Sequence, residues 1–335
     1  MLIDGGVGFD PSGVIESARS AEKAGYDGIW SAETSHDPFL PLALAAEHTD
    51  HLELGTGIAV AFARNPMNLA VVANDLQTLS RGRFMLGLGS QIRPHIEKRY
   101  SMTWSHPAAR MREMVLAIRA IWHSWSEGDR LDFRGEFYRH TLMTPMFDPG
   151  PNPYGNPKIF VAAVGPRMTE VVGEVADGIL IHGFTTERYI REVTIPALER
   201  GLALSGRTRA DFQTSYPGMV VTGPDEASLE LAKTAVKKQL AFYGSTPAYR
   251  PVLELHGWGD LQTELNNLSK QGKWDEMADL IDDEVVETFA VVGPLDDLVP
   301  TIRRRFDGIV DRFCFYAPYA SDPEQWAGLI SAFKD

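Results

Sequence analysis

The run Glu33-Thr34-Ser35-His36-Asp37 places an imidazole, two carboxylates and two hydroxyls within five residues. Imidazole changes charge near neutral pH, so His36 is the candidate general acid or base. Glu33 or Asp37 can orient it, and Asp37 suits equally well the capping of a helix that opens at Pro38. A histidine bonded into the loop's own structure would read the same way. Further on, Gly87-Leu88-Gly89-Ser90-Gln91 offers glycines for close approach, with Ser90 and Gln91 as hydrogen-bonding groups. It is neither a P-loop nor a dinucleotide fingerprint, because no Gly-Lys-Ser/Thr follows. In Ala163-Val164-Gly165-Pro166-Arg167, a Gly-Pro entry leaves the first backbone N–H groups of a helix free, an arrangement that accepts an anion. Arg167 in that first turn opposes the helix dipole, and an anion there would give it a partner. Ordinary helix-entry chemistry produces the same letters.

The stretch 52–66, LELGTGIAVAFARNP, carries Gly55 and Gly57 inside a strand pattern. Glycine within a strand marks a bulge or a close approach, and two at spacing two bare one face. A bulge with nothing bound and a ligand platform both fit. Trp104, Phe62, Tyr216 and Trp258 would wall a pocket if their loops converge, and are core otherwise. His48, His51 and His140 show no metal-ligand spacing, so no metal is expected.

Each candidate follows a segment that reads as a strand. Strands are expected at 2–8, 27–32, 52–61, 83–89, 158–163, 178–182, 212–222 and 308–316, with helices between them. The first helix opens at Pro11 with Asp10 as its cap, and the last spans 322–333. Strands apolar on both faces, each followed by a helix, indicate a parallel sheet covered on its outside. The pattern loosens twice. Residues 126–157 hold a polar hairpin (LDFRGEFYRH) and a Pro/Gly-rich connector, and 244–285 form a polar, Trp-bearing excursion; 286–292 reads as extended. One domain over 1–335 is expected, a (β/α)8 barrel with insertions after strands four and seven, against a doubly wound sheet as competitor. In such barrels the working face lies at the C-terminal strand ends, where the candidates fall.

A net charge of -13 argues against nucleic acid. No apolar run reaches membrane-spanning length and no leader pattern opens the chain, so a cytoplasmic protein is expected. The single Cys314 excludes an internal disulfide framework and reads as a buried thiol.

DGIW at the second strand, LELGTGIAVAFARNP at the third, RFMLGLGS at the fourth and VAAVGPRMTEVVGEVADG at the fifth resemble the bacterial luciferase-like flavin and deazaflavin oxidoreductases. The similarity runs in order over nearly the whole chain and looks closest to the branch using coenzyme F420. It implies a homodimer or a multiple of one, acting on a small-molecule substrate. It also implies a non-proline cis peptide at Gly57–Ile58, in a bulge that includes Ala59, against which the tricyclic ring leans. By the same resemblance Ser90 and Gln91 would meet the ring or its chain. Ala163, Gly165 and Pro166, with Arg167, would hold the side chain or phosphate. His36 matches the histidine at the hydride-transfer face and Ser35 the position before it. Many relatives carry a glutamate soon after the fourth strand's glycines, as in GTGE; here Gln91 cannot supply a proton and the nearest acid is Glu97. FMN-dependent oxygenation is the alternative chemistry on this fold, and flavin binding without turnover a second alternative.

Overall fold

The structure, a computed structural model, describes residues 1–7, 11–320 and 323–334. Gly8, the cap expected at Asp10, and Asp322 lie outside the described residues. The strands in chain order are β1 (Leu2–Gly6), β2 (Gly28–Ser31), β3 (Glu53–Thr56), β4 (Ala59–Val60) and β5 (Phe84–Gly89). There follow β6 (Phe133–Arg134), β7 (Arg139–His140), β8 (Lys158–Ala163), β9 (Gly178–Ile181), β10 (Gln213–Val221), β11 (Ala290–Val292) and β12 (Arg312–Tyr316). With the helices that separate them, the fold is a parallel (β/α)8 barrel.

Two compact units divide the chain: Asp4–Leu180 with Ala197–Gln213, and Thr214–Asp335 with Met1–Ile3 and Ile181–Pro196. In the first unit β1, β2, β3, β5, β8 and β9 lie side by side in that order, with β4 beside β5. Asp4 pairs with Gly28, Ile29 with Leu54, Leu54 with Phe84, and Met85 with Lys158, all parallel. All six residues of β5 are buried, as expected for a strand covered on both faces. Local chemistry sets the helix ends. Asn65 accepts from Asn68 N–H at 3.1 Å, ahead of Pro66 at the first position of helix Pro66–Leu79. Gly25, with φ 89°, closes helix Val14–Ala24 in the left-handed conformation. Helix Pro107–Glu127 buries Trp122, whose indole donates to the Ala70 carbonyl at 3.1 Å. The insertion at 126–157 contains the expected hairpin, β6 paired antiparallel with β7.

In the second unit β10 is flanked by β11 and β12, both parallel to it. Its insertion is mainly helical, with Arg250–Leu255, Gly259–Lys270, Trp274–Asp279 and Asp283–Phe289, the last three packed on helix Glu226–Gly244. Leu240, Val252, Leu265, Met277 and Val286 form one buried cluster there. The extended stretch expected at 286–292 is therefore corrected. Asp282 caps a helix by accepting from Val285 N–H at 2.9 Å, and only Ala290–Val292 is strand. Cys314 is half-buried in β12 and not enclosed as expected.

Candidate active site

Between Gly55 and Ala59 the third strand advances four residues, while its partner advances three, from Met85 to Leu88. That extra residue is a bulge, and the Gly57–Ile58 bond within it is cis. The Thr56 hydroxyl bridges the interrupted ladder, donating to the Gly87 carbonyl at 2.7 Å and accepting from Gly87 N–H at 2.8 Å. A Cβ on Gly87 would stand 1.7 Å from the Thr56 carbonyl oxygen, so only glycine permits this approach.

The bare face read from Gly55 and Gly57 is not bare. Trp30 of β2 lies over both, and a Cβ on Gly55 would come within 2.3 Å of its ring. The indole donates to Asp4 Oδ2 at 2.8 Å and meets Phe160 edge-on, with ring centroids 5.6 Å apart. Gly89 is covered in the same way by the Ile58 side chain. The glycines therefore admit side chains into the interior, and the solvent-reaching part of the bulge reduces to Gly57 and Ile58. Ala59 is fully buried and serves packing.

Glu33 is what pins the bulge. Its backbone N–H donates to the Ile58 carbonyl at 3.2 Å, and its carboxylate accepts from Val60 N–H at 2.7 Å. The same carboxylate takes Arg64 at 2.6 Å and the Tyr100 hydroxyl at 2.8 Å. Burial, followed by the bond to Glu33, raises the Tyr100 phenol above its ordinary pKa. Arg99 donates to the Thr34 carbonyl, so two neighbouring residues tie the loop after β5 to the loop after β2. Arg64 also reaches Asp37 at 3.4 Å, while Asp37 caps helix Phe39–His48 through Phe39 N–H at 2.8 Å. Neither carboxylate orients His36. That histidine is exposed, as is Ser35, and among the described residues it has no hydrogen-bond partner.

Ser90 and Gln91 follow β5 and are half-buried, with Gln91 in the left-handed region at φ 58°. The Gln91 side chain accepts from Ile92 N–H at 2.9 Å. Glu97 lies in a single π turn, His95–Arg99, where Arg93 holds both its oxygens at 2.9 Å. After β8 comes buried Ala163, then Gly165 and Pro166 open helix Pro166–Val175. No side chain caps that helix, nothing lies within 4 Å of where a Gly165 Cβ would be, and Arg167 is exposed. The amides of Arg167 and Met168 are thus the free donors of this helix start.

Ser35 and His36, the bulge, Ser90 with Gln91, and Gly165 therefore follow four strands adjacent in the order β2, β3, β5, β8. Three inter-strand spacings of about 4.8 Å spread them over roughly 14 Å, the reach of an elongated flat ligand. Among the described residues, direct bonds join Glu33, the bulge, Arg64, Tyr100 and Asp37, but not His36, Ser90 or Gly165. Arg64 and Tyr100 carry no signal in the sequence, since neither a turn nor a patternless loop announces such a partner. The expected aromatic walls are corrected as well. Phe62 and Tyr216 are fully buried core, and Trp258 stacks on His256 with centroids 4.9 Å apart. Trp104 packs edge-on against Phe62.

The second unit has its own strand-end cluster. His182, directly after β9, stacks on Tyr249 with centroids 4.6 Å apart and meets Tyr243 edge-on at 4.8 Å. Burial lowers the His182 pKa to about 4, so its ring is neutral at neutral pH. Tyr243 and Tyr316 share a hydroxyl hydrogen bond of 2.9 Å.

Comparison with known proteins places this geometry in context. The protein Rv1360 of Mycobacterium tuberculosis is 60% identical over 93% of this chain and 92% of its own. The 5,10-methylenetetrahydromethanopterin reductase of Archaeoglobus fulgidus is 28% identical over 93% of this chain and 91% of its own. Among solved structures, the coenzyme F420 dependent tetrahydromethanopterin reductase of Methanopyrus kandleri superposes with a TM-score of 0.80 at 20% identity. It covers 98% of this chain and 96% of its own. The oxygenating constituent of 3,6-diketocamphane monooxygenase from Pseudomonas putida, in complex with FMN, gives a TM-score of 0.67 at 18% identity, covering 100% and 98%. The model of the luciferase-like monooxygenase family matches residues 3–312. With the bulge after β3 and the Gly-Pro helix entry after β8 lying inside the matched span, this chain belongs to the luciferase-like monooxygenase family.

Proposed function

We propose that this protein is an F420-dependent oxidoreductase that moves a hydride between the deazaflavin coenzyme and a small organic substrate. The observation that carries the reading is the pinned bulge at the end of β3, two strands from a helix start whose entry glycine has open space above it. A flat ring needs a rigid support and a phosphate-bearing chain needs free backbone donors, and this chain offers both. F420 over FMN is supported by the 29% identity, over 85% of this chain, to the putative coenzyme F420-dependent oxidoreductase Rv3520c of Mycobacterium tuberculosis.

The deazaflavin, when bound, supplies the redox chemistry. The chain's residues orient and protect it. Gly57 and Ile58 support the ring, fixed by Glu33 through the Ile58 carbonyl and the Val60 amide. The Arg167 and Met168 amides, at the open entry made by Gly165 and Pro166 beside Ala163, take the anionic chain. Ser35, Ser90 and Gln91 offer polar contacts along the same row. His36, exposed and without a bonded partner, moves the proton that accompanies hydride transfer. Glu97 is held by Arg93 on both oxygens and Glu33 by three donors. Both are therefore positioning groups in this reading, and His36 is the proton carrier.

Fluorescence titration of the purified protein with F420 and with FMN tests the cofactor. F420 binding is expected; tight FMN binding without F420 binding would overturn the proposal in favour of an oxygenase. The His36→Ala variant should bind F420 as the parent does and turn over far more slowly. Unchanged turnover would remove His36 from the chemistry.

A further inference from the structure

The cluster after β9 in the second unit presents hydrogen-bond donors that no described residue uses. The Phe184 amide donates to His182 Nδ1 at 3.0 Å, which makes Nδ1 an acceptor and leaves the proton of the neutral ring on Nε2. Nε2–H then donates to the Tyr249 hydroxyl oxygen at 3.1 Å. Tyr249 is thereby an acceptor toward His182, and its own O–H proton has no acceptor among the described residues. The Tyr243–Tyr316 pair is similar: one proton closes their 2.9 Å bond and the other is left over. Burial pushes the Tyr249 phenol up to about 12 and raises Tyr316, so both stay protonated and neutral.

The walls are aromatic. Phe184 lies 5.5 Å from the Tyr249 ring, and Tyr243 and Tyr249 are 6.3 Å apart centre to centre. Gly183 brings the chain against Tyr316: a Cβ there would lie 3.3 Å from that ring, so a larger residue would press on it. His182, Tyr243, Tyr249 and Tyr316 are all half-buried and keep part of their surface exposed.

We propose that these side chains form a binding site for a neutral carbonyl oxygen on a planar molecule, with Tyr249 and the Tyr243–Tyr316 pair as its donors. Two unused O–H groups match the two lone pairs of a carbonyl. A half-buried, uncharged, aromatic setting favours such an acceptor over a carboxylate, whose charge would be partly desolvated with no cation bonded to the cluster among the described residues. His182 is a positioning residue, fixing the Tyr249 hydroxyl so that its proton points away from the imidazole. This site is independent of which coenzyme the protein takes.

The test uses the full chain without coenzyme, titrated with cyclohex-2-enone and separately with benzoate, followed by amide NMR shifts or calorimetry. Cyclohex-2-enone should bind the parent protein, and more tightly than benzoate. Tyr249→Phe removes one free donor, and Tyr243→Phe combined with Tyr316→Phe removes the other; both variants keep the rings, and each should weaken enone binding roughly five- to tenfold, the effect of one hydrogen bond. A parent protein that does not bind the enone, tighter binding of benzoate, or unchanged affinity in both phenylalanine variants would overturn the assignment. Should one variant fail to fold, the other carries the same comparison.

Discussion

Substituting Glu33 by glutamine should separate the bulge from what holds it. The carboxylate is 7% exposed and takes three donors, Val60 N–H, Arg64 and Tyr100 O–H, at 2.6 to 2.8 Å. A glutamine has one oxygen for those donors and turns an NH2 group toward the rest, so at least one buried donor loses its acceptor. Breaking a buried charged pair by removing one partner costs about 3–5 kcal/mol. The low end applies here, since Arg64 is 21% exposed and keeps the Val60 carbonyl and Asp37. A loss of about 3 kcal/mol is therefore expected for Glu33→Gln, and about 1.5 kcal/mol for Tyr100→Phe, which removes a single bond to a charged acceptor. Urea unfolding reads both, with the slope unchanged between variants. The double variant should lose less than the sum, because both changes break the Tyr100–Glu33 bond. A loss below about 1 kcal/mol for Glu33→Gln, or strict additivity in the double variant, would refute the clamp. Under the proposed function the same variant should also bind F420 more weakly.

Two further predictions concern packing and pH. Gly87→Ala should cost at least about 3 kcal/mol, because its methyl would meet the Thr56 carbonyl oxygen at 1.7 Å. Gly165→Ala should leave the melting curve nearly unchanged, since nothing lies within 4 Å and its φ is -94°. It should nonetheless weaken F420 binding, and an unaltered affinity would separate the Gly-Pro entry from the cofactor. Because the folded protein holds His182 at about 4 against 6.5 for a free histidine, the unfolded chain takes up the proton first. The stability of neutral His182 is thus fully present above about pH 6.5 and is lost as pH falls through 4, by about 3 kcal/mol in total. Replacing it with glutamine should flatten the acid limb of a stability–pH curve; an unchanged limb would contradict the burial assigned to this ring.

The sequence by itself carried whatever depends on near neighbours in the chain. Alternation of apolar strands with helices and the Gly-Pro entry at Gly165 and Pro166 are set within a few residues, and the barrel class follows from the alternation. The strand-end rule then located Ser35, His36, the bulge, Ser90 and Gly165 in one row. Tertiary structure decided what each position does. The room that Gly55 and Gly57 leave belongs to Trp30, an indole arriving from the neighbouring strand. Glu33 looked like a partner for His36; its actual partners are Val60, Arg64 and Tyr100, the last 67 residues away. Tyr243 ends a helix legible in the sequence, but the insertion that brings Tyr249 to His182 carries no period strong enough to read, because its packing comes from helices meeting one another. Hydrophobic periodicity is written locally, whereas a hydrogen bond between distant residues exists only once the chain has folded. That is why the fold class was legible in the letters, and why the clamp on the bulge and the His182 cluster were decided by the packed structure.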